Sequence, residues 1–322
     1  MGILKKIIGR IRTYKPAYII YNFFHQRELA HNKDLYKKLH IHKPVYWTVS
    51  SEDFANLPQH SPWLDEPDAR EKILADAQFN QMHADLQHKI LHWIDNGFII
   101  WENFLSEQEV GQLNKEIDDL LLQKKIQPLE NGKIMFAHKQ SAYINKIISD
   151  ERIMQLFAFI FRQPVIAFQT INFIKGSQQR AHSDSVHMTT YPLGYLSASW
   201  FALEDIDADN GSLFYYPGSH RLPYILSPQF DKTAHSLKLN ENAYDNYENT
   251  IQSVIDQQHL VKEDFHARKG DLFLWHANLI HGGNAILDPS RTRKSMVVHY
   301  FAKDVIKYHE ISKRPALLNR EI

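Results

Sequence analysis

His182-Ser183-Asp184, answered far downstream by His281 within Leu274-Trp275-His276-Ala277-Asn278-Leu279-Ile280-His281-Gly282-Gly283-Asn284, constrains this chain more than any other feature. If these side chains serve one centre, strands distant in sequence must lie side by side. Alternate side chains of an extended strand share a face, so His182 and Asp184 can converge without a turn. His281 follows a β-rich run, Asp271 to Trp275, and precedes two glycines that let the chain bend at a site mouth. Two imidazoles and one carboxylate can occupy one face of an octahedral iron(II), leaving positions for an organic co-substrate and oxygen. His182, Asp184 and His281 are therefore candidate metal ligands. With nineteen histidines in the chain, chance pairs are common. His187, His276 and His299 are weaker candidates because none reproduces the i, i+2 pair.

Strand signals dominate from Val165 onward: Ala167 to Ile174, Leu196 to Leu203, Leu213 to Tyr216, Asp271 to Trp275 and Ser295 to Phe301. Helical patterns precede them. Residues 68–95 are rich in helix formers and end on Asn96-Gly97, a left-handed stop. Ser106 to Glu109 forms a capping box ahead of Val110, Leu113, Ile117 and Leu121, and a further helix is expected over Glu151 to Phe161. The expected fold is mainly β with flanking helices: a double-stranded β-helix, the cupin-like jelly roll, with an N-terminal helical extension. Residues 1–67 are expected to form a basic amphipathic helix and an irregular, proline-containing linking segment pinned by Trp47 and Trp63. Residues 68–305 form one catalytic domain, and 306–322 a tail. The long segment 222–266, containing Tyr224, Tyr244, Asn246 and Tyr247, is expected to cover substrate.

Charge and composition narrow the partners. Lys plus Arg equals Asp plus Glu at 37 each, which leaves no global field for nucleic acid. The chain has no cysteine, so disulfides, thiolate metal sites and a cysteine nucleophile are excluded, and a reducing cytosol suits it. Ile3, Leu4, Ile7, Ile8 and Ile11 recur with helical period opposite Lys5, Lys6, Arg10, Arg12 and Lys15. Such a helix suits either the protein's own core or the surface of an anionic membrane. The expected location is cytoplasmic; the membrane alternative adds peripheral contact with its inner face through residues 1–24.

The triad, the segment Ser197-Ala198-Ser199-Trp200-Phe201-Ala202-Leu203 running on to Pro217-Gly218-Ser219-His220, and Arg291-Thr292-Arg293-Lys294-Ser295-Met296-Val297-Val298-His299-Tyr300-Phe301 resemble, in this order, the phytanoyl-CoA dioxygenase family of iron(II)- and 2-oxoglutarate-dependent oxygenases. The resemblance spans about residues 95 to 302. It implies Fe(II), 2-oxoglutarate as co-substrate, O2, and hydroxylation of an unactivated C–H with release of succinate and CO2. An aspartate in the triad favours hydroxylation over halogenation. The family pattern assigns an arginine to the far carboxylate of 2-oxoglutarate, here Arg293 with Arg291 as the second choice. Trp200 matches a position lining the co-substrate pocket, and His220 one at its rim. Where family members often carry a serine two residues after the distal histidine, this chain has Gly283, so Asn284 or a water is the expected substitute. The substrate is expected to be a small or lipid-linked molecule. A non-catalytic jelly-roll binding protein and a cupin-type metal-dependent hydrolase or isomerase are the alternatives. Oligomeric state is not encoded legibly.

Overall fold

A computed structural model describes residues 14–231 and 237–318. The amphipathic segment beginning at Ile3 lies outside the described residues until Tyr14. Six antiparallel strands form the main sheet in the order β1-β8-β5-β10-β3-β2: β1 is Phe98–Trp101, β2 Ile134–Met135, β3 Val165–Phe173, β5 Leu196–Ala202, β8 Leu272–His276 and β10 Ser295–Ala302. On β10, the period-2 pattern divides the sheet's faces. Met296, Val298 and Tyr300 enter a core shared with helices, whereas Val297, His299 and Phe301 line an internal cleft.

The helices covering the outer face are α3 (Ala84–Asn96), α4 (Glu107–Leu122), α5 (Ala142–Ile148) and α6 (Glu151–Phe161), following α1 (Lys15–Phe24) and α2 (Ala30–Lys38). Gly97 terminates α3 at φ 82°, as its sequence position predicts. The capping box of α4 is complete: Glu109 N–H donates to Ser106 Oγ at 3.3 Å and Ser106 N–H to Glu109 Oε2 at 2.8 Å. The single helix expected over 68–95 is broken into Ala69–Leu74, Ala77–Asn80 and α3. Asp76 interrupts it by turning its side chain onto Phe79 N–H at 2.8 Å, the competition between side chain and helical backbone that this residue type favours.

A second sheet, β7-β6-β9, faces the first; β6 is Leu213–Tyr215, β7 Glu263–Phe265 and β9 His281–Gly283. Phe98, Trp200, Leu213, Phe265, Phe273 and Trp275 fill the space between them. The result is the expected double-stranded β-helix with helices on one side.

Three differences from the sequence reading have physical causes. Residues from 306 onward, expected as a tail, form β11 (Ile306–His309) and β12 (Arg314–Pro315); β11 pairs with β12 on one side and with β4 (Thr189–Tyr191) on the other. Ile306 and Tyr308 are buried with Tyr36, Val49, Phe54 and Tyr191, so the N-terminal segment and the chain end share one hydrophobic cluster. The segment 222–266 contains a regular helix, α7 (Ala243–Gln257), and strand β7. Of the two tryptophans expected to pin the linking segment, Trp63 does so, donating to Phe159 O at 3.1 Å, while Trp47 is 43% exposed.

Candidate metal centre and co-substrate pocket

His182 and His281 are brought together by the backbone itself. They face each other in an antiparallel bridge, each N–H donating to the other's carbonyl at 2.9 Å. That pairing adds the 182 segment to the free edge of β9 and sets the imidazole centroids 4.5 Å apart. Ser183 is extended (φ −114°, ψ 150°), so Asp184 falls on the same side as His182 before the chain turns into a short 3-10 helix. Ligand atoms of His182, Asp184 and His281 all lie within 4.8 Å of one another, and all three residues are buried.

The surroundings prepare these groups for a cation. Nδ1 of His182 lies 2.8 Å from Arg180 O, and Nδ1 of His281 lies 2.9 Å from Leu279 O. A carbonyl can only accept, so each Nδ1 carries a proton and Nε2 is the ring nitrogen left to face the centre. Burial, followed by the neighbouring His281, holds the His182 imidazole well below its usual pKa and so neutral. Burial works to raise the Asp184 carboxyl; the adjacent imidazoles of His299 and His281 outweigh it and keep the group ionised. Trp275 Nε1 donates to Asp184 Oδ2 at 2.8 Å, and His299 Nε2 stands 3.4 Å from the same oxygen. Tyr247 of α7 clamps the intervening backbone, its hydroxyl accepting Ser183 N–H at 2.9 Å. Two imidazole nitrogens and one oriented carboxylate suit a divalent ion of borderline softness.

A cleft of ≈ 1990 Å³ opens from this centre, bounded by β3, β10 and α1. Arg293 lines it and is 3% exposed. Its guanidinium stands over the Trp200 ring at 5.2 Å, its Nη1 donates one long hydrogen bond to Ser295 Oγ at 3.4 Å, its Nε has no hydrogen-bond partner, and it forms no ion pair among the described residues. Burial lowers its pKa to about 10, which leaves it a cation near neutral pH. A buried, unpaired guanidinium calls for an anionic ligand. Arg291, two residues earlier, is 34% exposed at its side chain and held by Asp207 at 2.8 Å. The two arginines are thus separated by their partners.

Other expectations are corrected. The Asn284 amide donates to Ser212 Oγ at 2.9 Å and Asp264 Oδ1 at 2.8 Å and accepts from Lys262 at 3.0 Å, all away from the cleft. It is therefore not available to a co-substrate. His220 is not at the pocket rim; it is buried behind Gly97, 5.4 Å from the His276 ring centroid. His276 is held by Asp65 at 2.9 Å. His187 lines the cleft beside Tyr244, at 5.2 Å between ring centroids, with its Nε2 unpartnered. Trp275 and Ser177 were given no role by sequence reasoning, and Tyr247 was named there only within the segment expected to cover substrate. The i, i+4, i+8 series Tyr247, Ile251 and Ile255 does carry the helical signal for α7.

Comparison with known proteins agrees with this arrangement. The family model for phytanoyl-CoA dioxygenase matches residues 93–295. This chain belongs to that family. Its enzyme class is accordingly that of the Fe(II)- and 2-oxoglutarate-dependent dioxygenases, with O2 as the oxidising co-substrate. The chain is 24% identical to the ectoine dioxygenase of Halomonas elongata over 290 residues, 82% of this chain and 83% of that one. It is also 24% identical to the peroxisomal phytanoyl-CoA dioxygenase of Rattus norvegicus over 65% of this chain and 66% of that one. Among solved structures, EctD from S. alaskensis with 2-oxoglutarate and 5-hydroxyectoine superposes with a TM-score of 0.56 at 20% identity, covering 74% of this chain and 84% of that chain. The α-ketoglutarate-dependent carbocyclase SnoK gives 0.57 at 15% identity, covering 76% and 96%. These likenesses support the fold.

Proposed function

We propose that this enzyme hydroxylates an unactivated C–H of a small or lipid-linked substrate, with His182, Asp184 and His281 holding Fe(II) and Arg293 binding the far carboxylate of 2-oxoglutarate. The observation carrying the reading is the convergence of the three buried ligand atoms within 4.8 Å in the cleft that also holds the unpaired guanidinium. When bound, iron would activate O2, the oxidant: one oxygen atom would go into succinate as 2-oxoglutarate gives up two electrons and loses CO2, and the other would enter the substrate C–H.

The protein's own part is positional. The carbonyls of Arg180 and Leu279 fix both imidazoles in the tautomer that offers Nε2, and the Trp275 N–H fixes the carboxylate rotamer. Arg293 offers a planar fork for two parallel charge-assisted bonds, with Trp200 stacked beneath it and little solvent to weaken them. Holding the target C–H close while excluding bulk water is the task of the cleft walls. Succinate release from 2-oxoglutarate, screened against membrane lipids, free amino acids and acyl-CoAs, tests the reading. Turnover should require Fe(II) and O2 and disappear in Asp184→Ala. Metal-dependent substrate breakdown without O2 would instead indicate the hydrolase or isomerase alternative, and ligand binding without turnover the binding protein.

Peripheral membrane contact belongs to the same proposal. No described helix is long and apolar enough to cross a membrane. The support is at the cleft mouth: α1 contributes Tyr18 and Tyr21 to the lining and leaves Ile20, Tyr21, Phe23 and Phe24 exposed. Phe24, Phe23, Tyr46 and Trp47 follow one another at ring-centroid distances of 5.6, 5.3 and 6.5 Å. A run of aromatics, exposed except for the half-buried Tyr46, together with the basic residues that precede α1 in sequence, matches the chemistry of an anionic lipid interface. The protein should float with vesicles containing phosphatidylglycerol and less with neutral ones, and Phe23→Glu with Phe24→Glu should abolish flotation. Equal flotation of this double variant would remove the membrane element from the proposal.

A further inference from the structure

Gly283 shares the inward face of β9 with His281, two residues away, yet contributes no side chain to it. A Cβ built there would lie 2.6 Å from Ser177 Oγ. The volume belonging to a side chain at position 283 is therefore already filled, and by a hydroxyl. Absence of a Cβ is what admits the neighbouring group so closely.

Ser177 is held there by backbone geometry. The segment from 177 to 182 runs alongside β9, with Gly283 N–H donating to Gln179 O at 2.9 Å and the His182–His281 bridge two residues further on. Ser177 precedes Gln178, whose φ of 47° turns the chain at this point. The Ser177 hydroxyl accepts one long hydrogen bond, from Gln179 N–H at 3.4 Å, and its own proton has no acceptor among the described residues. Ser177 and Arg293 line the same cleft. A donor-competent hydroxyl and a buried guanidinium without an ion-pair partner border one cavity, and a carboxylate has lone pairs enough for both.

We propose that Ser177, supplied from the segment ahead of the triad, donates a hydrogen bond to the far carboxylate of 2-oxoglutarate and does the work that a side chain at position 283 is unable to do. This rests on the co-substrate role of Arg293 proposed above. It makes Ser177 and Gly283 a complementary pair: the hydroxyl fits only because residue 283 is glycine.

The test is an anaerobic titration of the Fe(II)-loaded protein with 2-oxoglutarate, read from the metal-to-ligand absorption band. Ser177→Ala should weaken 2-oxoglutarate about tenfold or more, the loss expected for one hydrogen bond to a charged group, with Fe(II) affinity unchanged. Binding of 2-oxobutyrate, which lacks the far carboxylate, should be equal in wild type and variant. The double variant Ser177→Ala/Gly283→Ser, which returns a hydroxyl from the other strand, should recover most of the affinity. Unchanged 2-oxoglutarate affinity in Ser177→Ala overturns the assignment, as does an equal loss for 2-oxobutyrate, which would mark a purely structural effect. An absent band in wild type, or an Arg293→Leu variant with normal affinity, would instead overturn the underlying co-substrate reading.

Discussion

Single side chains divide here into those that would touch ligand and those that aim them. Trp275 belongs to the second group. Its indole N–H donates to Asp184 Oδ2 at 2.8 Å, closer than His299 Nε2 at 3.4 Å, so Trp275→Phe keeps a ring in the core while removing the shorter of these two contacts to the carboxylate. Fe(II) affinity should drop about tenfold in competition with a chelator, a typical loss for a group supporting a metal ligand. Arg293 and Arg291 give the sharper contrast. Arg293→Leu should raise the 2-oxoglutarate dissociation constant about a hundredfold, as expected for removing a two-pronged charged contact from a buried site. Arg291→Leu should leave it unchanged, because that guanidinium is engaged with Asp207 at the surface. At this scale the triad was legible because two residues separated by one are bound to share a strand face. Ser177 was not legible. Its relevance follows from a missing Cβ ninety residues and more away in sequence, which no local pattern encodes. Asn284 misled because residue type suggested a carboxylate contact, whereas Ser212, Asp264 and Lys262 use up its amide.

Secondary-structure elements determine how rigidly those side chains are presented. α7 lies against the 182–185 segment through Tyr247, which is fully buried and accepts the Ser183 amide. Tyr247→Phe would leave that buried N–H without its acceptor. It should cost about 1–2 kcal/mol in a denaturant melt, and Fe(II) binding should weaken with it because Ser183 lies between two ligands. The inner strands were readable from their β-branched and aromatic alternation, and α4 and α6 from caps and apolar spacing. The pieces that escaped are those whose local signal is short. β4, β7, β9 and β12 have only two or three residues each and exist because neighbouring strands supply their hydrogen bonds. α7 was recoverable from its four-residue spacing, but polar residues between the apolar positions obscured it.

For the molecule as a whole, packing creates a dependence on neutral histidine. Burial pushes the imidazoles of His220 and His309 down to about 3 and those of His31 and His138 down to about 4 from an ordinary 6.5. Below pH 6.5 the unfolded chain binds protons that the folded chain refuses, so stability must fall as pH drops from about 6.5 towards 3, and flatten below. Thermal melts across this range should show the midpoint falling throughout; a midpoint that is flat from pH 6.5 to 4 would contradict the burial of these rings. Whether His182, Asp184 and His281 together hold one ferrous ion is decided by anaerobic equilibrium dialysis. Wild type and Arg293→Leu should each bind one Fe(II) per chain with equal affinity, while His182→Ala, Asp184→Ala and His281→Ala should each lose that binding. Retention of wild-type Fe(II) affinity by the three ligand variants would place the metal elsewhere and contradict the account.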